Sequence, residues 1–208
     1  MRALAVLIAL CLALPLAASC VKLERQPIEK RFYALETVRP GALVPATKAQ
    51  SPAVLLVRRL TTSSRLAGRE LVYRTAPSAW TADYYNVFFV APADMLTQDL
   101  RAWLTASGLW ANVVDPSSLV TPSHILEGNI TGLYADFAAS PPQAVAEGQF
   151  LLLSGGPDER RVLLTRQYRT TAPVVSRTPQ EVVRAERQAV TALFAQLEAD
   201  LRQALAAR

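Results

Sequence analysis

The chain has 208 residues, with 22 Lys and Arg against 17 Asp and Glu, a net charge of +5, one histidine and two cysteines. Its basic groups are scattered, as at Arg58-Arg59, Arg65, Arg69, Arg74 and Arg160-Arg161, without the block of like charge that nucleic-acid-binding arms carry. With Cys11, Cys20 and His124 as the whole Cys/His inventory there is no zinc-ligand spacing, so stability must come from an apolar core, which a chain of this length can bury.

Residues 1–20, MRALAVLIALCLALPLAASC, have the layout of a cleaved export signal. Arg2 gives a short positive region, Ala3 to Leu16 an apolar run broken at Pro15, and Ala17-Ala18-Ser19 the small residues before a cut. A cysteine at that point, Cys20, resembles the bacterial lipobox, in which the thiol is diacylated and the signal is removed just before it. The sequence departs from that pattern at Leu16, one residue earlier than the usual leucine, with Ala17 in its place. Pro15, and a run at the short limit for a spanning helix, argue against an uncleaved anchor. Loss of Cys11 with the signal leaves Cys20 unable to pair within the chain, and acylation accounts for that odd cysteine. The expected division is a signal peptide over 1–19, a lipidated N-terminus with tether and first short strand over 20–52, and a single domain over 53–208. About ten residues separate Cys20 from the first strand, a reach of at most about 35 Å, so the body stays close to the membrane.

Arg31-Phe-Tyr-Ala-Leu-Glu36 alternates like a short strand, and Thr37 to Pro52, with three prolines and Gly41, reads as loop. Strands are expected at 53–60, 69–74 and 82–90, the last rich in aromatics. Pro92 opens a helix in which Met95, Leu96, Leu100, Trp103 and Leu104 recur at helical spacing, and Gly108 closes it. A strand over 109–114 would complete a strand–helix–strand crossover. Long β-like runs at 124–137, 144–154 and 161–170, with a turn at Gly155-Gly156-Pro157-Asp158, predict an antiparallel meander with one face covered. In the last run Val162, Leu164, Arg166 and Tyr168 should share a face. The final helix is announced by Thr178, Pro179 and Glu181, a capping-box pattern. Its apolar stripe comprises Val182, Val183, Ala189, Val190, Leu193, Leu197, Leu201 and Leu205. The expected fold class is therefore α+β: a mixed, largely antiparallel sheet with two helices packed on one face.

Catalytic material is sparse. His124 and Ser123 are adjacent, so in a strand they point to opposite faces, and no G-x-S-x-G elbow or Walker A sequence is present. Asp94 suits a helical first turn better than an acid–base pair with Asp99. The expectation is a non-catalytic subunit or binding module with no cofactor and no metal. The aromatic run Trp80, Tyr84, Tyr85, Phe88 and Phe89 exceeds what one strand face can bury; Trp80, Tyr84 and Tyr85 form a candidate interaction patch, with filling of the core as the alternative.

Several segments together resemble the ABC-type transport auxiliary lipoprotein family, which includes the lipoprotein of the paraquat-inducible envelope system. They are Phe32-Tyr33-Ala34-Leu35, Arg69-Glu-Leu-Val-Tyr-Arg74, Tyr84-Tyr-Asn-Val-Phe-Phe-Val-Ala-Pro92, Leu104-Thr-Ala-Ser-Gly-Leu-Trp110, the glycine-containing strands after His124, and the C-terminal helix. Members more often carry a Trp and a polar-proline stretch before the first helix; here Trp80 precedes the aromatic strand instead. The resemblance implies a fold like the N-terminal domain of the translocation protein TolB. It also implies partnership with an ABC permease and ATPase, often with an MCE-domain protein, in intermembrane lipid transport. Membrane attachment would be through Cys20, with paired or ring-like homo-oligomers by analogy and no nucleic-acid partner. Val21 rather than Asp after the cysteine implies sorting to the outer membrane, facing the periplasm. Two other readings stay open: an assembly lipoprotein that plugs or chaperones an outer-membrane barrel, and a secreted hydrolase.

Overall fold

A computed structural model describes residues 29–45, 49, 51–155 and 160–207. The signal segment, Cys20 and residues 156–158 of the expected turn lie outside the described residues. In chain order the elements are β1 (Arg31–Tyr33), β2 (Ser51–Val57), β3 (Thr61–Thr62), a 3₁₀ turn (Ser64–Leu66), β4 (Glu70–Ala76) and β5 (Ala79–Phe88). Then come α1 (Pro92–Ser107), β6 (Trp110–Val114), β7 (His124–Asp136), β8 (Gln143–Ser154), β9 (Arg161–Pro173) and α2 (Pro179–Ala206).

β7 is the spine. One edge pairs antiparallel with β8 along its whole length, and β8 pairs antiparallel with β9, which is the expected meander. Its other edge is divided among three parallel strands: β2 at His124–Leu126, β3 at Asn129–Ile130 and β4 at Ala135–Asp136. β6 extends the sheet beyond β2, while β5 and then β1 extend it beyond β4. The fold is therefore α+β with a mixed sheet, and most residue pairings fall in antiparallel ladders.

The expected crossover is corrected. β5 and β6 lie in opposite wings of the sheet, and the parallel neighbour of β6 is β2. α1 thus carries the chain from one wing to the other rather than between adjacent strands. Its own limits follow from chemistry: Pro92 lies in its first turn, and Gly108 ends it in the left-handed region at φ 66°. A side chain at Gly108 would also meet Val44, only 2.3 Å from the position of its Cβ.

Two bulges keep the helix-facing residues in register. The irregularity between Ile130 and Gly132 lets Leu126 and Ile130 share the core with Leu133 and Ala135, which an unbroken alternation would turn outward. In β9 the shift opposite Leu152 and Leu153 pairs Leu164 and then Val162 with them, so Val162 leaves the face of Leu164 and Tyr168 and is exposed. Phe150 lies across Gly128 and Gly148, where a Cβ would stand 2.7 and 2.8 Å from its ring. Those strands carry glycine because the phenyl ring occupies the space a side chain would need.

α2 begins without the expected capping box. Thr178 makes no capping hydrogen bond; Glu181 instead accepts from the Val175 N–H at 3.1 Å and pairs with Arg184. The Arg184 guanidinium, with the Val175 amide, pulls the Glu181 carboxyl down to about 2.

The segment after β1 is a strap rather than a free loop. Leu35 is fully buried in the core, the Thr37 N–H donates to Asp99 at 2.9 Å, and the Val44 N–H donates to the Ala106 carbonyl at 3.1 Å. Between them Arg39 grips Glu198 of α2 with two bonds of 2.8 and 2.9 Å. Glu198 also accepts from Trp103 Nε1 of α1 at 2.8 Å and from Arg202 at 2.9 Å, so one carboxylate ties strap and both helices together. Burial opposes its charge, but these donors prevail and hold it below the ordinary glutamate range.

Glu186, two turns inside α2, is the opposite case. It is fully buried with neither carboxylate oxygen hydrogen-bonded, and burial pushes it up to about 8. The two acids impose opposite pH slopes. Glu198, lowered on folding, stabilises above its ordinary value of 4.5 and loses that contribution as pH falls. Glu186, raised on folding, binds more protons folded than unfolded, so its stability contribution declines as pH rises from 4.5 towards 8. Urea unfolding at pH 8 should therefore show Glu198→Ala destabilised by about 3–5 kcal/mol and Glu186→Leu stabilised by about 1–4 kcal/mol. The Glu186→Leu gain should shrink at pH 5; a gain independent of pH would show that Glu186 carries no perturbed proton.

Candidate functional site

His124, the first catalytic candidate, is a core residue. It is buried, its ring stands edge-on to Trp110 at 6.0 Å, and its Nδ1 accepts the Trp110 Nε1 proton at 3.3 Å. Ser123 instead engages β2, its amide donating to the Val54 carbonyl at 3.0 Å. Among the described residues no group of three or more His, Cys, Asp or Glu could hold a metal ion. A cleft of about 470 Å³ opens beside Arg58, Glu127, Asn129, Gln149 and Thr165. Its charges are already matched, Arg58 to Glu127 at 3.1 Å and Arg59 to Asp94 of α1.

The more distinctive surface is an aromatic rim at the β1/β5 edge. β5 departs from its partner after Asp83: Leu71 faces Asp83, yet the next residue back, Glu70, faces Val87. Residues 84–86 are therefore extra with respect to β4 and bulge away from that ladder, while Asn86 still pairs with Arg31 of β1. Asp83 holds that bulge in shape. Its Oδ1 accepts the Tyr85 and Asn86 amides, both at 3.0 Å, and its Oδ2 accepts Tyr73 Oη and Asn86 Nδ2, both at 2.9 Å. Burial works against the Asp83 charge, but Tyr73 and Asn86 outweigh it and the carboxyl sits below the ordinary range. Burial, and then the bond to Asp83, push the Tyr73 phenol upward.

The bulge brings Tyr84 and Tyr85 together, edge to face at 5.1 Å, with Lys30 Nζ 4.1 Å from the Tyr84 centroid. Two residues on from Lys30, within β1, Phe32 packs edge-on to Phe89 at 6.1 Å. Arg69 supports that corner by donating to the Phe89 carbonyl at 3.0 Å. Exposures are 64% for Tyr84, 41% for Tyr85, 52% for Phe32 and 66% for Phe89, so the rings are displayed to solvent rather than packed. Phe88 is the exception in the run, being buried in the core.

Trp80 stands elsewhere. It lies against Tyr134 of β7 at 4.8 Å with the Arg65 guanidinium 4.9 Å from its ring, forming part of the wall of a separate cleft with Thr131 and Gln167. Of the three expected patch residues, the structure groups Tyr84 and Tyr85 and sets Trp80 apart. The residues that join the tyrosines, Lys30 and Phe32, come from a strand far away in sequence, and only the parallel pairing of β1 with β5 reveals them.

The ABC-type transport auxiliary lipoprotein component family matches residues 33–198, from β1 into α2, and the chain belongs to that family. Protein XCC0632 from Xanthomonas campestris has the same fold at a TM-score of 0.67 with 23% identity, over 80% of this chain and 92% of that one. An uncharacterised protein follows at 0.63 with 18% identity, over 82% of this chain and 97% of its own. The hypothetical protein CT253 from Chlamydia trachomatis reaches 0.52 with 10% identity, over 75% and 99% respectively. No curated protein matches this chain.

If the rim rings are surface features, truncating them should spare the fold. Phe32→Ser with Phe89→Ser should cost about 1 kcal/mol or less, the size of one exposed aromatic pair. Phe88→Ala should cost about 3–5 kcal/mol. Equal losses in chemical denaturation would mean that Phe32 and Phe89 are core residues in solution.

Proposed function

We propose that this chain is a non-catalytic lipoprotein subunit of an ABC-type intermembrane lipid transport system. It is held at the outer membrane by acyl chains on Cys20 and docks the periplasmic end of a permease–ATPase assembly that includes an MCE-domain protein. The observation that carries the reading is the extent of the family match. Residues 33–198 run from the end of the first strand well into the last helix, so nearly all of the described fold lies within the match to the auxiliary component. The lipobox-like Leu16-Ala17-Ala18-Ser19-Cys20 supports the anchor, and two or three acyl chains at about 0.8 kcal/mol per buried CH₂ would make attachment effectively permanent. Among the described residues no helix is long and apolar enough to cross a membrane. A buried histidine and a cleft whose charges are already paired fit a subunit that positions other components, while ATP is consumed elsewhere in the assembly.

Affinity purification of the full chain from gently solubilised envelopes tests this. Mass spectrometry should identify an ABC permease, its ATPase and an MCE-domain protein at near-stoichiometric yield. Recovery of an outer-membrane barrel without transporter subunits would contradict the proposal and favour the assembly-lipoprotein alternative.

A further inference from the structure

We infer that the rim formed by Phe32, Phe89, Tyr84 and Tyr85 is a lipid-contact face, which lays the β1 edge of the sheet into the headgroup layer of a phospholipid bilayer. The inference rests on acylation at Cys20 as proposed above, and it adds a second, non-covalent attachment that fixes the orientation of the body.

Three observations converge on a bilayer as the occupant. The first is position. β1 starts at Arg31, about ten residues after Cys20, and lies at the outer edge of its wing, beyond β5. A segment of that length reaches at most about 35 Å, so this edge stays within that distance of the acyl chains. The second is composition. Phenyl rings exposed beside phenols, with Lys30 set against Tyr84 and Arg69 braced on the Phe89 carbonyl, combine apolar bodies with polar tips at one level. Such side chains partition to the membrane–water boundary, rings inward and cations towards the headgroups. The third is arrangement. Lys30, just ahead of β1, lies over Tyr84, and Phe32 within β1 packs on Phe89, so the same edge carries both contacts. Both contacts are open to solvent rather than enclosed in a pocket, which suits a flat and fluid surface.

The charge balance predicts the character of the contact. Lys30, Arg31 and Arg69 are accompanied by Glu29 and Glu70, so the local excess of positive charge is small. Burial of ring area, rather than attraction to anionic lipid, supplies most of the association, and the contact should depend only weakly on salt. A lipid-facing edge also shields the side of β1 that has no strand partner among the described residues.

The test uses the natively acylated full chain carrying Phe89→Cys or, as a second reporter, Tyr84→Cys. An environment-sensitive fluorophore is placed on the new thiol while the acyl group blocks Cys20. Val162→Cys on β9, exposed and remote in the sheet order, is the reference. Chains are reconstituted into phosphatidylethanolamine–phosphatidylglycerol vesicles containing lipid spin-labelled near the headgroup. Quenching at 89 and 84 should exceed that at 162 by roughly threefold and persist at high salt, as for side chains seated 5–10 Å into the boundary. Equal quenching at all three sites, in chains that float with the vesicles, would overturn the inference while leaving the acyl anchor intact. Energy transfer between position-89 dyes on different copies, without lipid quenching, would overturn it in favour of contact between copies. Chains that fail to float would remove the anchor and this inference with it.

Discussion

A single thirteen-residue strand governs the architecture. β7 must satisfy β8 along one edge while sharing its other edge among β2, β3 and β4, and it must do so without turning its apolar residues away from the helices. The irregularity between Ile130 and Gly132 reconciles these demands: it resets the alternation midway, so that both ends of the strand face the same core. From that constraint follow two wings, one ending at β6 and the other at β1, with α1 carrying the chain between them and α2 packed on β7, β8 and β9. The aromatic rim lies at the edge of the second wing, where, among the described residues, β5 is followed only by a three-residue strand.

The rim is also mechanically continuous with the core. Immediately after β1 the chain buries Leu35, bonds to α1 through Thr37 and Asp99, and clamps to α2 through Arg39 and Glu198. Arg187 of α2 further donates to the Leu35 carbonyl. A load applied through a tether ahead of β1 would reach both helices within a few residues rather than peel a strand from the sheet edge. Buried ion pairs are usually weak sources of net stability. Here the better account of Glu198 is that it fixes how strap, α1 and α2 sit together, because three donors from three segments converge on it.

Most of the elements were legible in the sequence, and the reasons are local. Pro92 with Gly108, and Pro179 followed by a long apolar stripe, are start and stop signals that act within a few residues. The meander announced itself through long alternating runs. What could not be read was non-local. The neighbours of β6 and β1 depend on how β7 divides its edge, and the outward turn of Val162 depends on a bulge opposite Leu152 and Leu153. The rim was half visible: Tyr84, Tyr85 and Phe89 lie in one run, but Phe32 and Lys30 join them only through parallel pairing. Asp83, in a strand written as continuous, gave no warning of the bulge it organises. Two acids did leave a trace. Glu186 and Glu198 occupy positions within or beside the apolar stripe of α2, where a charged residue needs a partner or a proton. One has the partners and the other holds the proton.

Membership of the auxiliary lipoprotein family gives this fold its setting, and the account stands on a covalent lipid at the start of the mature chain. Intact-mass measurement of the protein extracted from cell envelopes tests that most directly. The account predicts a mature chain beginning at Cys20 and carrying a diacylglyceryl thioether, with or without a further N-acyl chain. A chain recovered with an unmodified Cys20, in a fraction that does not sediment with membranes, would contradict it.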